Sequence, residues 1–431
     1  MKRKLIALLC ACMVLGGCTD AGTGNASGQQ SQEQEQTQTG GSGEVQQLGG
    51  HENQEIVPVE LKNAYEKAAY FLDQVYAEIP ANTLVSPLSL NIALGMATEG
   101  TSGETAKELY RYLGSEDYAN WVDQYLTFAE GLEAHDEGWS KYSFQYQIAN
   151  SIWVRQGDTM QKEFQDVVKK KFRAEAQNVD FMGDPTGTAD KINNWCDVHT
   201  QGLIKEIVKP NMFSPELASI LVNSVYFESP WGDKWGVNEN QFTNLAGKTT
   251  TQEMLIDWSH IDAYYENEKC TAFEKSYYNG FKFIGILPKA EGEFTTEELD
   301  LASLMASRTQ EYEVHAVMPK LNFDTSASKI VDILKAQGVL RVFDPEKAEF
   351  GRMLEDRQLF ISDIIQKCKI ELDEDGTKAA AVTAIMVKDS AAFIPDKKEV
   401  KEVYLTRPFA FLIYDSENDQ ILFIGKVTDL Q

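Results

Sequence analysis

The amino-acid sequence predicts an α+β fold, on three observations. Segments with helical spacing and segments with β-type patterning come in mixed order, without the regular strand–helix–strand alternation of a doubly wound sheet. One run, 219–227, is nearly continuously β-prone and reads as a strand buried on both faces. Another, 374–387, alternates like a strand yet leads into a charged stretch, 388–401, that reads as an exposed loop. From position 58 onward there is no second low-complexity linker and no internal repeat, so 58–431 is expected to be one domain.

The elements follow in order. Residues 60–77 carry apolar side chains at helical spacing (Leu61, Ala64, Tyr65, Ala68, Phe71, Leu72, Val75). The run 82–90 is a strand running into a helix. Pro87 suits the first helical position, where its missing N–H costs nothing, and Leu90, Ala93, Leu94 and Ala97 form the buried stripe. Gly100-Thr101-Ser102-Gly103-Glu104 breaks that helix, and another begins at Thr105. Residues 144–154 alternate as a strand, and 189–208 read as one amphipathic helix holding Ile192, Trp195, Cys196, Ile204 and Ile207. Strand 219–227 follows, then a strand over 312–323, a helix over 327–337 closed by Gly338, and a long strand over 359–372. The chain ends in a hairpin, 410–414 and 421–427, across Glu417-Asn418-Asp419.

The N-terminus reads as an address. Lys2, Arg3 and Lys4 precede a short apolar run, 5–17, too short to span a bilayer. It ends in Leu15-Gly16-Gly17-Cys18, which resembles a bacterial lipobox, so 1–17 is expected to be a signal peptide and Cys18 the lipidated residue. Residues 18–57 hold Gly, Gln, Ser, Thr and Glu with almost no large apolar side chain. They are expected to be a disordered tether, with the domain held on the outer face of a bacterial cell membrane.

Composition narrows the chemistry. A net charge of −26 argues against a nucleic-acid partner. Of the six cysteines, Cys196, Cys270 and Cys368 remain in the domain, without metal-ligand spacing, and neither a disulfide framework nor a zinc site is expected. The five histidines (His51, His135, His199, His260, His315) form no HExxH, and no nucleophile elbow, phosphate loop or dinucleotide fingerprint is present. Ser326-Ala327-Ser328-Lys329 matches SxxK formally, but Ser326 reads as a helix cap. No metal, cofactor or catalytic residue is expected.

The run Glu374-Asp375-Gly376-Thr377-Lys378-Ala379-Ala380-Ala381-Val382-Thr383 is therefore the informative one. Thr377, Ala379, Ala381, Thr383, Ile385 and Val387 fall on one face, all small or apolar, as a strand needs if it is to slip between two strands already packed. Gly376 supplies a pivot at its start. This run resembles the hinge of an inhibitory serpin, the serine-protease inhibitor family whose reactive loop inserts into its own sheet. Further motifs are similar to the family's in order: Asn82-Thr83-Leu84-Val85-Ser86-Pro87-Leu88-Ser89-Leu90, Ala149-Asn150-Ser151-Ile152-Trp153-Val154, Leu221-Val222-Asn223-Ser224-Val225-Tyr226-Phe227, Pro319-Lys320-Leu321, Arg407-Pro408-Phe409 and 421–427.

The resemblance implies a serpin-like fold: a large, mainly antiparallel central sheet, smaller sheets, eight to nine helices and an exposed reactive centre loop over about 374–404. It implies an inhibitor rather than an enzyme, a monomer whose partner is a target serine protease held as an acyl-enzyme. By position it assigns Glu374, Gly376, Thr377, Ala379, Ala380, Ala381 and Thr383 to the hinge. Ser86, Ser89, Asn223 and Gln366 become a polar centre under the sheet that must part, and Trp231, Lys320 and Glu374 the top of that sheet. Gln366 stands where the family usually has histidine, so it can bridge Ser86 and Asn223 but cannot titrate. Spacing from the hinge places the scissile bond at Ser390–Ala391, with Lys388, Ala392 and Phe393 as alternatives. Ser390 and Ala391 suit an elastase-like or subtilisin-like pocket. A non-inhibitory binding protein and an inhibitor of papain-like cysteine proteases remain as alternatives.

Overall fold

A computed structural model describes residue 48, residues 57–114, 122 and 125, 145–354, 359–377 and 398–430. The predicted reactive bond (Ser390, Ala391 and the alternatives Lys388, Ala392, Phe393), the hinge residues Ala379, Ala380, Ala381 and Thr383, and Cys18 lie outside the described residues.

Among the described residues, seven α-helices and three sheets occur. In chain order they are α1 (Ala64–Glu78), β1 (Thr83–Val85), α2 (Pro87–Glu99), α3 (Gly103–Tyr112), β2 (Gln145–Arg155), α4 (Lys162–Phe172), β3 (Glu175–Val179), α5 (Pro185–His199) and β4 (Ser219–Pro230). Next come β5 (Gly236–Thr243), β6 (Thr249–Asp257), β7 (Ala263–Glu266), β8 (Cys270–Ser276), β9 (Lys282–Pro288), α6 (Leu301–Ala306), β10 (Glu313–Pro319), β11 (Leu321–Ala327) and α7 (Ile330–Ala336). The chain closes with β12 (Asp363–Leu372), β13 (Gly376–Thr377), β14 (Val400–Tyr404), β15 (Phe409–Asp415) and β16 (Gln420–Val427).

The main sheet has the order β11-β12-β13-β4-β2-β3 and is mostly antiparallel. Two pairings depart from that rule. β2 and β3 are parallel at the edge, and β12 and β4 are parallel at the centre, from Asp363 with Ile220 up to Cys368 with Val225. Alternate residues of β12 (Gln366, Cys368, Ile370, Leu372) and of β4 (Leu221, Asn223, Val225, Phe227) are buried on the inner face. The second sheet, β1-β16-β15-β9-β8-β7, lies in the same large core, and the third is β14-β10-β6-β5. On the other face of the main sheet, α5 contributes Ala189, Ile192, Trp195 and Cys196 to a separate buried cluster with Trp153, Ile220, Val222 and Ile365.

Helix α2 starts as the sequence dictates. Ser86 caps it, accepting from the Ser89 N–H, and Pro87 takes the first turn. It is buried almost all round, because it lies inside the core beneath the main sheet, so its expected single stripe is too narrow.

Several expectations need correction. The helix read as 189–208 ends at His199: Gln201 and Gly202 take positive φ (50° and 82°) and the Gly202 N–H returns to the Asp197 carbonyl, which closes the helix. Ile204 and Ile207 still reach the cluster, from irregular chain. The strand read as 312–323 is two strands in different sheets, β10 and β11, divided at Lys320. Ser326 is not a helix cap; it lies in β11 opposite Lys367, and Lys329 precedes α7. Val400–Tyr404, at the end of the stretch read as loop, is a strand pairing in parallel with β10. Leu48, inside the stretch read as tether, is buried.

Candidate functional site

The site occupies the line between β4 and β12. Along their lower halves the two strands pair directly; above Cys368 and Val225 they diverge, and the two residues of β13 fill the gap. Gly376 pairs with Pro230 and Thr377 with Ser229 on one side, and Thr377 pairs with Leu372 on the other, all antiparallel. A two-residue strand thus lies between two strands that pair directly along their lower length.

What holds β13 there can be read residue by residue. The Asp373 carboxylate accepts from the N–H groups of Asp375 (2.9 Å) and Gly376 (3.3 Å), and the Asp373 N–H donates to the Gly376 carbonyl at 2.9 Å. A tight turn thus delivers Gly376 into the gap. A side chain at Gly376 would collide with the Ser229 carbonyl oxygen and lie 2.7 Å from Pro230 Cα, so close backbone approach requires glycine. Thr377 is 3 % exposed, and its hydroxyl is 2.6 Å from that of Tyr277. Burial and loss of solvation raise the Tyr277 phenol well above the usual tyrosine range, so it stays a neutral partner.

Around this turn the top of the sheet is latched. Trp231 stacks on Tyr277 with ring centroids 4.3 Å apart; its indole N–H donates to the Asp373 carbonyl at 2.8 Å and its backbone N–H to the Asp375 carbonyl at 3.0 Å. Lys320 reaches Glu374 at 2.9 Å and Glu253 at 3.3 Å. The bond from Lys320 lowers the Glu374 carboxyl below its ordinary value, and the bond to Glu374 raises the Lys320 ammonium. Lys234 forms an ion pair with Asp375.

Lower down, where β4 and β12 are still joined, lies a buried polar cluster. Gln366 Nε2 donates to Asn223 Oδ1 at 2.8 Å and to the Ser86 carbonyl at 2.9 Å, while its Oε1 accepts from the Ser86 N–H at 2.9 Å. Asn223 Nδ2 donates to the Ser89 carbonyl at 3.1 Å and lies against Ser89 Oγ and Asn150 Oδ1. Ser86 enters through its backbone, since its hydroxyl caps α2 and donates to the Leu422 carbonyl at 2.6 Å. Asn150, opposite Asn223 on β2, keeps a buried amide nitrogen with no partner among the described residues. Gln366 and Asn223 thus clip together the two central strands β12 and β4, through a bond that carries no titratable proton.

Ser86, Ser89, Asn223 and Gln366 therefore lie together, as do Trp231, Lys320, Glu374, Gly376 and Thr377. Sequence reasoning missed Asn150, Tyr277, Lys234, Glu253 and Asp373. Asp373 and Asp375 flank Glu374 and could have been noticed as turn formers. Tyr277 and Asn150 carry no local signal, because only the sheet register brings them to the site.

The profile of the family described as Serpin (serine protease inhibitor) matches residues 66–430. An uncharacterized serpin-like protein of Thermococcus kodakarensis is 31% identical over 385 residues, 85% of this chain and 87% of that one. Among solved structures, the thermophilic serpin tengpin in its native state is 29% identical with a TM-score of 0.70, covering 86% of this chain and 97% of its own. Serpin48 of the insect Tenebrio molitor is 25% identical with a TM-score of 0.73, covering 86% and 98%. A fold with these neighbours, together with a strand begun between two others, leaves one assignment: the chain belongs to the serpin family, whose members are mostly protease inhibitors rather than enzymes.

Proposed function

We propose that this protein is a suicide-substrate inhibitor of serine endopeptidases, tethered through lipid on Cys18 to the outer face of a bacterial cell membrane. The observation that carries the reading is β13, paired on both sides at the mouth of a slot whose two walls are already in register. Continuing its antiparallel pairing one residue at a time down β4 and down β12 leads to the same result on both. Thr383 arrives opposite Asn223 and Gln366, and Met386 opposite Ile220 and Asp363 at the foot of the slot. The side chains that would face the core are then Ala379, Ala381 and Thr383, which are small enough for the closed space. The incoming strand would replace one parallel pairing by two antiparallel ones.

In this mechanism the serine hydroxyl of the target attacks the carbonyl carbon of Ser390. The bond to Ala391 breaks, its nitrogen leaves as the amine, and an ester joins Ser390 to the protease. Cleavage frees the hinge end, and residues from Lys378 to Met386 add to β13. Each new ladder bond contributes about 1 kcal/mol net and each buried methylene about 0.8 kcal/mol. Val387 to Ser390 then remain as the short link to the distorted enzyme. Ser390 and Ala391 suit an elastase-like or subtilisin-like target.

Incubation with elastase should give a covalent complex that survives SDS, and mass spectrometry of the released C-terminal fragment should begin at Ala391. Clean cleavage without a complex would overturn the reading.

A further inference from the structure

A cavity of about 470 Å³ opens where the first turns of α1 and α2 meet the end of α3 and the β15–β16 turn. Its volume is within the range of small-molecule sites. Asn63, Lys67 and Phe71, spaced four residues apart along α1 and its cap, face it together. The other side of that helix, where Asp73 accepts from the N–H groups of Thr296 and Glu297 ahead of α6, is turned away from it. Leu61, Phe71, Leu88, Leu113 and Ile421 give the cavity an apolar lining. Its charges are opposite in sign to those of the chain. Against a net −26, its described lining residues hold the cations Lys62, Lys67 and Arg111 and one carboxylate, Asp419.

Lys67 is the informative member. It is half-buried, and burial lowers its ammonium below the ordinary lysine value. Its Nζ donates to the Tyr112 carbonyl at 2.7 Å and lies 4.6 Å from the centre of the Tyr112 ring. An ammonium has three donors, so two of them have no partner among the described residues. No carboxylate among those residues forms an ion pair with it. Glu66, beside it in sequence, accepts from the Lys62 N–H and from Asn63 Nδ2, and Asp419, on the cavity wall, takes the hydroxyls of Tyr65 and Tyr414. A long lysine stem normally carries its charge out to water, and a cation held back in a cavity wall is costly unless a counter-ion meets it.

We propose that this cavity binds a small monocarboxylate with an apolar chain, its carboxylate on the Lys67 ammonium and its chain against Leu61, Leu88 and Leu113. A single half-buried ammonium calls for one negative charge. The apolar lining calls for a body that leaves water with it. An inorganic ion would leave that lining uncovered, and an extended polyanion would not be enclosed. No described lining residue belongs to β4, β12 or β13, so the proposal stands independently of the insertion mechanism.

The test uses the full chain and decanoate, below the concentration at which it forms micelles, with decanol and inorganic phosphate for comparison. Isothermal titration calorimetry should show saturable binding of decanoate, and the melting temperature should rise with its concentration. Decanol has the chain without the charge, and phosphate has charge without the chain; each should bind about tenfold more weakly or worse. Lys67→Met keeps a stem of similar shape and removes the charge. It should weaken decanoate binding by about tenfold or more, the loss expected for a hydrogen bond to a charged group. Without ligand it should melt no lower than the parent, because it sheds an unpaired cation. Lys67→Arg keeps the charge and should retain binding within a few fold. Absence of saturable binding would overturn the proposal, as would equal binding of decanol or of phosphate, or unchanged affinity in Lys67→Met. Equal loss in Lys67→Arg and Lys67→Met would mean that shape and not charge is recognised, and would overturn it too. A Lys67→Met protein that melts well below the parent would mean that Tyr112 already satisfies the ammonium, which removes the ground for the site.

Discussion

Replacement of Thr377 by arginine tests the site at its narrowest point. Thr377 is 3 % exposed and its hydroxyl is bonded to Tyr277, beneath the stacked Trp231 ring. Arginine there loses that bond, about 1 kcal/mol, and leaves the Tyr277 hydroxyl buried without a partner at about 1–3 kcal/mol. It also places an unpaired guanidinium in the core, a defect of about 3–5 kcal/mol in comparable sites. The sum exceeds 4 kcal/mol, about a thousandfold against entry of this residue. The native fold can relieve the strain by releasing β13 to solvent, so the variant should still fold. The inserted form has no such escape, because residues further along the strand cannot enter unless Thr377 stays in. Titration against elastase should therefore show cleavage with turnover, and no SDS-stable complex, where the parent forms one. Thr377→Val, which keeps the shape, should still inhibit. A Thr377→Arg protein that inhibits as well as the parent would refute the assignment of this residue to the inward face.

Other outcomes follow from the same geometry. Gly376→Ala should lower the melting temperature by several degrees and expel β13, seen as faster proteolysis within 374–378, because its Cβ meets Ser229 and Pro230. The Glu374 carboxyl is held below its ordinary value of 4.5, so its contribution is complete above that pH and fades as pH falls through the depressed value. Lys320, raised above 10.5, keeps its contribution up to that pH. The melting-temperature difference between parent and Glu374→Gln should therefore be constant from about pH 5 to 10, worth less than about 1 kcal/mol at this partly exposed site, and should shrink below pH 4. Gln366→His should introduce a pH dependence absent from the parent. Burial disfavours the imidazolium, so the variant should lose stability as pH falls below about 6.5, measured by thermal melts across pH 5–8.

Legibility from sequence followed how local each cause is. The start of α2 was readable because Ser86 and Pro87 act on their own helix, and β4 because its nearly continuous β-prone run suits a strand buried on both faces. The placing of Gly376 and Thr377 at the start of a strand was readable because the size of Thr377 and the backbone freedom of Gly376 are visible without the fold. Residues 236–306 yielded little: β5, with its run Gly-Val-Asn-Glu-Asn-Gln-Phe-Thr, is largely exposed and shows no alternation. The division at Lys320 was hidden because β10 and β11 are both β-prone and change sheets across one residue. The end of α5 was set by Gln201 and Gly202 against an apolar pattern that runs on to Ile207. Leu48 is a lone apolar residue in a polar segment, so composition outweighed it. Asn150 was within a quoted motif, but its role depends on lying opposite Asn223.

The most direct measurement compares the melting temperature of the intact protein with that of protein cut once within 388–393, both fragments retained. If residues 378–386 enter the slot below β13, the cut form gains about nine residues of paired strand, each contributing about 1 kcal/mol from hydrogen bonding alone, and should melt far above the intact form. Equal melting temperatures would mean that no strand is added on cleavage, and would contradict the account.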